Sequence, residues 1–301
     1  MDWPSVSVVI PTRDAGPEFE ELLSRIDGQD YPAPVEVVVV DSGSTDGTRG
    51  RAREFGATVR RIDAEEFHHA RTRNYGADCA SNDVLVFTVQ DARPLDERWL
   101  RNLVGALEGD GIGVAYGRQV AYPDAKPMDQ FFYEYFYPAE PQTVTHEAAD
   151  DDRDFYLQNV FVSDVTAAVP REVWASVRFD PGTPMSEDKE LALRLLEAGY
   201  SLRYEPSAAV HHSHAYTLES LFRRRYDDGA AYADIAEEGE CAYLSNGLSY
   251  VIAEVRHLLS NGEWEWLPYA MVYDAVHFVA FQLGRRDDLL PGPIKRALGV
   301  V

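Results

Sequence analysis

The sequence predicts an α/β fold with a mainly parallel sheet flanked by helices, followed by a helical C-terminal extension. Three observations carry this. Apolar runs at 6–10, 35–40 and 84–89 alternate with stretches of helical periodicity, the order of βαβ units. Each run is predominantly apolar, as in strands covered on both faces. Each stops abruptly, at Pro11-Thr12-Arg13, at Asp41-Ser42-Gly43 and at Gln90-Asp91-Ala92. Parallel strands bring such ends to one edge, where open α/β sheets bind their ligands.

Composition bounds the alternatives. The 301 residues are 45% hydrophobic and 12% aromatic, enough for a large core. The formal charge is 28 − 51 = −23, which argues against nucleic acid as a partner. Lysine occurs only at 126, 189 and 295, so the chain reads as adapted to high salt, where screening relieves self-repulsion. Two distant cysteines, Cys79 and Cys241, imply neither a disulfide framework nor a thiolate metal site. With no signal-peptide pattern and no apolar run of about 18–20 residues, a soluble cytoplasmic protein is expected.

Taken in order, a strand at 6–10 leads to a helix at 18–26 with Phe19, Leu22, Leu23 and Ile26 on one face. The strand at 35–40 ends in Asp41, and a Gly/Ser/Thr-rich turn leads to a helix expected near Thr45. That turn can offer backbone N–H groups to an anion, or simply cap the helix. It has neither the P-loop nor the dinucleotide glycine pattern. A strand at 59–62, a helix at 70–79 with Arg71 and Arg73 on a solvated face, and the strand at 84–89 follow. Asp91, at the end of a buried strand, reads either as a metal or phosphate-region ligand or as the cap of a helix starting near Asp96.

Here a resemblance enters. Ser7-Val-Val-Ile-Pro-Thr12, with Val37-Val-Val-Val-Asp41-Ser-Gly-Ser-Thr-Asp46-Gly-Thr48, resembles the opening of glycosyltransferase family 2. Phe67-His-His-Ala-Arg-Thr-Arg-Asn-Tyr-Gly-Ala77 and Phe87-Thr-Val-Gln-Asp-Ala92 are similar to its rhamnosyltransferase-like branch. The resemblance implies a GT-A fold, a nucleotide-diphospho-sugar donor and a divalent cation, Mn²⁺ or Mg²⁺. The family's Asp-x-Asp element ends the strand that Asp91 ends here. Only its last carboxylate survives, because Gln90 and a Thr or Val fill the other places. By the same match Asp41 contacts the nucleotide base, Arg71 and Asn74 lie over base, ribose or phosphates, and Pro11, Thr12, Arg13, Ser44, Asp46 and Gln90 line the donor site.

Further on come a helix at 99–107, a strand at 114–120, and an aromatic stretch from Asp129 to Pro138. Its rings read either as an acceptor platform or as packing beneath the sheet. A polar acidic stretch to about Arg153 reads as a loop, and 155–169, with Asn159 and Asp164, as a strand. Ser186 is an expected N-cap for a helix with Leu191, Leu195 and Leu196 on one stripe, placing Glu187 and Asp188 in its first turn. The helix dipole alone accounts for two acids there. The family match makes Asp188 the base that deprotonates the acceptor hydroxyl, with Glu187 its neighbour. The strand before His214 ends in three histidines, and the family's Val-x-His falls on Val210-His211-His212, making His212 a second metal ligand. Arg223-Arg224-Arg225 reads as a clamp on the donor diphosphate, through Arg224 and Arg225, or as ion pairing with surface acids.

The expected domains are a catalytic unit at 1–228 and a helical extension at 229–301, whose apolar 267–283 segment is too short and polar to span a membrane. It reads as packing on the catalytic unit, or as peripheral contact with the inner face of the cell membrane. The expected reaction is inverting sugar transfer to a glycan or lipid-linked acceptor. The alternatives left open are a catalytically silent sugar-nucleotide-binding or scaffold subunit and a nucleotidyltransferase. For the salt reading, the melting temperature should drop on dilution from molar to low salt; an unchanged value contradicts it.

Overall fold

The computed structural model describes residues 2–145, 161–235 and 240–299. The stretch running to Arg153, and the first part of the expected 155–169 strand with Asn159, lie outside these residues. The described residues form a nine-stranded sheet. In chain order the first elements are β1 (Val6–Thr12), α1 (Phe19–Asp27), β2 (Val35–Asp41), α2 (Thr48–Glu54), β3 (Thr58–Arg61), α3 (His69–Cys79) and β4 (Val84–Thr88). Strands β3, β2, β1 and β4 lie side by side and all parallel. Their apolar residues alternate between two faces. Val8, Ile10 and Val86 pack against α1, and Val9, Leu85 and Phe87 pack on the α3 side. Gly76 of α3 lies against β1 so closely that a Cβ would sit 2.5 Å from Val9 Cγ1. That approach explains the glycine two residues after Asn74.

The second half is mixed rather than parallel. After β5 (Arg93–Pro94), α4 (Trp99–Gly105) and β6 (Ile112–Val120) come α5 (Pro127–Phe136), β7 (Gln142–Val144) and β8 (Thr166–Pro170). The chain continues through α6 (Arg171–Val177), α7 (Glu187–Glu197) and β9 (Ser201–His211). Strand β8 is antiparallel to both β4 and β6, while β6 and β9 are parallel to each other. The consequence is positional. Thr166 at the start of β8 pairs with Thr88 at the end of β4, and Val120 at the end of β6 pairs with His211 at the end of β9. The approach to β8 therefore lies at the same edge as the ends of β1, β2, β4, β6 and β9.

Helices α8 (Leu218–Ile235), α9 (Glu240–Ser260), α10 (Leu267–Gly284) and α11 (Gly292–Leu298) complete the described chain. The expected boundary between 228 and 229 falls inside α8. This helix meets α10 backbone to backbone: a Cβ on Gly284 would lie 1.9 Å from the Tyr226 carbonyl oxygen. The aromatic stretch forms α5 and the turn after it, and part of it packs on the sheet: Tyr137 joins the core with Tyr116 and Tyr204, and Tyr133 and Phe136 pack against that core. Phe131, Phe132, Tyr135 and Phe136 gather round Tyr250 of α9 at 5.2–6.5 Å between ring centroids. They bridge the sheet domain to the helical one.

Candidate active site

Two groups of side chains stand at this edge. The first surrounds Asp91. Asp91 caps no helix: α4 starts at Trp99, and the Arg98 N–H donates to Asp96 Oδ1 at 2.8 Å. The Asp91 carboxylate instead faces two imidazoles, with Oδ2 at 3.9 Å from His212 Nε2 and 3.8 Å from His214 Nδ1. One ligand atom from each of the three lies within 4.8 Å of the others. Behind His212, Nδ1 lies 2.8 Å from Gln119 Oε1, and Gln119 Nε2 donates to the Tyr137 hydroxyl at 2.6 Å. An amide oxygen can only accept, so the ring nitrogen facing it must be the donor. The proton therefore sits on Nδ1, and Nε2 turns a lone pair toward Asp91. Burial pulls the His212 pKa down to about 4 against the pull of Asp91, so the ring stays neutral near pH 7. One carboxylate and neutral imidazoles suit a divalent transition metal better than Mg²⁺, which prefers an all-oxygen shell.

The second group surrounds Asp188. Burial, and next the Glu187 carboxylate, raise its pKa; Lys189 and Arg73 oppose them. Lys189 N–H donates to Oδ1 at 2.8 Å, and Asp164 N–H approaches Oδ2 at 3.4 Å. Glu187, 4% exposed, accepts from Arg73 NH1 at 2.7 Å. The expectation of Arg73 on a solvated face is thereby corrected: it is buried, with its Nε 3.0 Å from Asp164 Oδ2. Burial pushes Asp164 well above the carboxylate range despite Arg73. Ser186 is the N-cap by position, but its side chain makes no capping bond and its backbone is left-handed at φ 62°.

Arg224 connects the two groups electrostatically: its charge lowers His212 and His214, and is itself stabilised by Asp188 and Glu187. It pairs with Asp228 Oδ1 at 3.2 Å, and Arg225 with Asp228 Oδ2 at 2.8 Å, so ion pairing holds for both. Arg224 keeps 42% of its side chain exposed, whereas Arg225 keeps 22% and lies over the Phe132 ring.

Several of the residues expected to line the donor site also bond to the protein itself. Gln90 accepts from the Arg13 N–H at 2.8 Å and donates to the Arg13 carbonyl at 3.2 Å, stapling the end of β4 to the end of β1. Asn74 does the same to the backbone of Phe179, donating at 2.8 Å and accepting at 3.2 Å. Ser44 and Asp46 accept from the N–H groups of Asp14 and Gly16, joining the first two loops. Asp46 is held down to about 2, chiefly by the Thr48 hydroxyl. Asp41 is fully buried, accepting from Ser44 N–H and the Thr12 hydroxyl, with Arg49 3.5 Å away. Pro11 is half-buried in β1, and Arg13 and Arg71 are exposed. A sheet edge with a metal-competent pocket, an arginine and a second carboxylate with a raised pKa is the equipment of a GT-A glycosyltransferase.

Comparison with known proteins agrees. Residues 7–165 match the sequence profile of Glycosyl transferase family 2, and 142–278 that of Glycosyl transferase family group 2. The chain is 30% identical over 296 residues to the O-antigen chain rhamnosyltransferase RfbN of Salmonella typhimurium, covering 95% of this chain and 91% of that one. A 127-residue part, 40% of the chain and 41% of the relative, is 32% identical to the glycosyltransferase AglE of Haloferax volcanii. The structure resembles the mannosyltransferase PcManGT from Pyrobaculum calidifontis, solved with GDP-Man and Mn²⁺, at a TM-score of 0.64 and 21% identity over 96% of this chain and 88% of that one. The chain belongs to glycosyltransferase family 2 and is an inverting, nucleotide-sugar-dependent glycosyltransferase. Neither the silent-subunit nor the nucleotidyltransferase alternative is favoured.

Because Glu187 raises the Asp188 pKa, Glu187→Gln should move the acid limb of the rate profile to lower pH. More acid is then needed before Asp188 protonates, so a rate that depends on its ionised form persists further down. A limb that stays in place or rises contradicts the coupling.

Proposed function

We propose that the chain transfers a deoxyhexose of the rhamnose kind from a nucleoside-diphospho-sugar to a lipid-linked or growing glycan, with Asp188 as base. The observation that carries this is the pairing, at one sheet edge, of a part-exposed carboxylate of raised pKa with a separate Asp-His-His pocket. Asp188 takes the proton of the acceptor hydroxyl. The oxygen attacks the anomeric carbon from the face opposite the diphosphate, the anomeric C–O bond to the diphosphate breaks, and the configuration inverts. Arg224 lies beside the departing diphosphate and offsets its charge, while Arg225 supports it from the buried side. Asp91 and His212, with His214, hold a divalent cation, Mn²⁺ in preference to Mg²⁺. When bound, the cation neutralises charge on the diphosphate oxygens. Arg13 and Arg71 meet the donor at the rim. Asp41, Ser44, Asp46, Asn74 and Gln90 shape the loops that receive it, through the bonds they make to neighbouring residues.

The rhamnosyltransferase reading rests on the relatives named RfbN and WbaN. Among the described residues no helix is long and apolar enough to cross a membrane. On α10, Met271, Val272, Phe278 and Val279 are exposed on one face, which favours peripheral contact with the cytoplasmic side of a membrane carrying the acceptor. Asp188→Asn, assayed with nucleoside-diphospho-sugars and a lipid-linked glycan in vesicles, should bind donor as the wild type does and lose turnover by about 10²–10⁴-fold. Turnover retained in this variant contradicts Asp188 as base.

A further inference from the structure

Arg73 takes no part in the transfer just described. Its guanidinium is 5% exposed, with NH1 donating to Glu187 Oε1 at 2.7 Å and Nε 3.0 Å from Asp164 Oδ2. These partners come from two separate elements and flank Asp188 on both sides. Glu187 is its chain neighbour, and the Asp164 backbone N–H points at Asp188 Oδ2. The backbone between them is strained: Ser186 has φ 62° and ψ 31°, a region that residues other than glycine enter at a cost. Its side chain makes no capping bond that would offset the cost. Glu187, in the first turn of α7, is held across the fold by Arg73 of α3. Buried ion pairs add little net stability, since desolvation offsets the attraction. A guanidinium that hydrogen-bonds one carboxylate and ion-pairs with a second on another element does, however, constrain their relative geometry.

We infer that Arg73 is a positioning residue of the transfer reaction: by gripping Glu187 and Asp164 at once, it holds the left-handed turn at Ser186 that sets the Asp188 carboxylate. The inference rests on Asp188 as base. The charged and titratable groups facing Asp188 are Glu187 and Lys189 on its own helix, Arg73 and His69 on α3, Asp164 before β8, Arg224 on α8 and Tyr137 after α5. Among the cations, Arg73 also contacts Glu187 and Asp164 directly.

The test compares Arg73→Lys and Asp164→Asn with the wild type in melting temperature, kcat, donor KM and the pH dependence of kcat. Lysine keeps the charge, but its single nitrogen does not reproduce the two-carboxylate fork. In the folded variant kcat should fall by about tenfold or more, since small displacements of a reacting group are costly, with donor KM within about twofold. The acid limb should move to higher pH as Asp188 loses its ordered cationic neighbour. If Arg73→Lys does not fold, Asp164→Asn carries the test, because it keeps the backbone N–H and the side-chain shape but loses the carboxylate that Arg73 faces. A drop in kcat at unchanged donor KM supports the positioning role. A variant that melts lower but turns over like the wild type, with an unmoved acid limb, overturns it. Asp188→Asn in parallel separates the two readings: retained turnover there removes the base, whereas lost turnover there beside intact kcat in both other variants removes Arg73 alone.

Discussion

Registration of the strands constrains everything at the site. With β1, β2 and β4 parallel, and β8 entering antiparallel opposite the end of β4, one sheet edge receives Thr12, Asp41, Asp91 and the approach to β8 that carries Asp164. The parallel β6–β9 pair then brings Gln119 and His212 to that edge from the other half of the sheet. A slip of one residue in β9 would reverse the faces of its side chains. It would turn His212 away from Asp91 and part its ring from Gln119. The metal-competent pocket is thus a property of strand pairing before it is a property of any one ligand.

Charge is distributed around the same edge in an unusual way for so acidic a chain. Glu187 and Asp164 are withdrawn from water around one buried guanidinium, with Asp188 part-exposed beside them, and Arg224 and Arg225 share a single aspartate. Burial raises Asp164 and Asp188, which makes Asp188 a stronger proton acceptor than a solvated aspartate, while the same burial keeps His212 neutral. Opposite consequences for acid and imidazole come from one physical cause.

Much of this was legible in the residues. Largely apolar strands that stop at Asp41 and Gln90-Asp91 defined the edge, and an acidic pair at a helix start with histidines after the next strand defined two candidate centres. Orientation was not legible. Arg71 and Arg73 look alike in the sequence, yet two helical steps separate them by roughly 200°, so one faces water and the other the interior. Gln90, Asn74, Ser44 and Asp46 carry the residue types of a polar binding site, but most of the bonds their side chains make go to backbone groups of the protein. The aromatic stretch was ambiguous because α5 packs against α9, more than a hundred residues later in the chain. A single helix's periodicity cannot disclose its partner.

On the proposed mechanism, one crevice holds the cation through Asp91 and His212 on one side and offers Asp188 on the other. Crystals soaked with Mn²⁺ and a nucleoside diphosphate, with anomalous scattering recorded at the manganese edge, test it most directly. One strong peak is expected beside Asp91 Oδ2, His212 Nε2 and the diphosphate oxygens, with Arg224 alongside and the Asp188 carboxylate facing the sugar position. A peak away from both residues, or a diphosphate bound with no metal between it and Asp91, would contradict it.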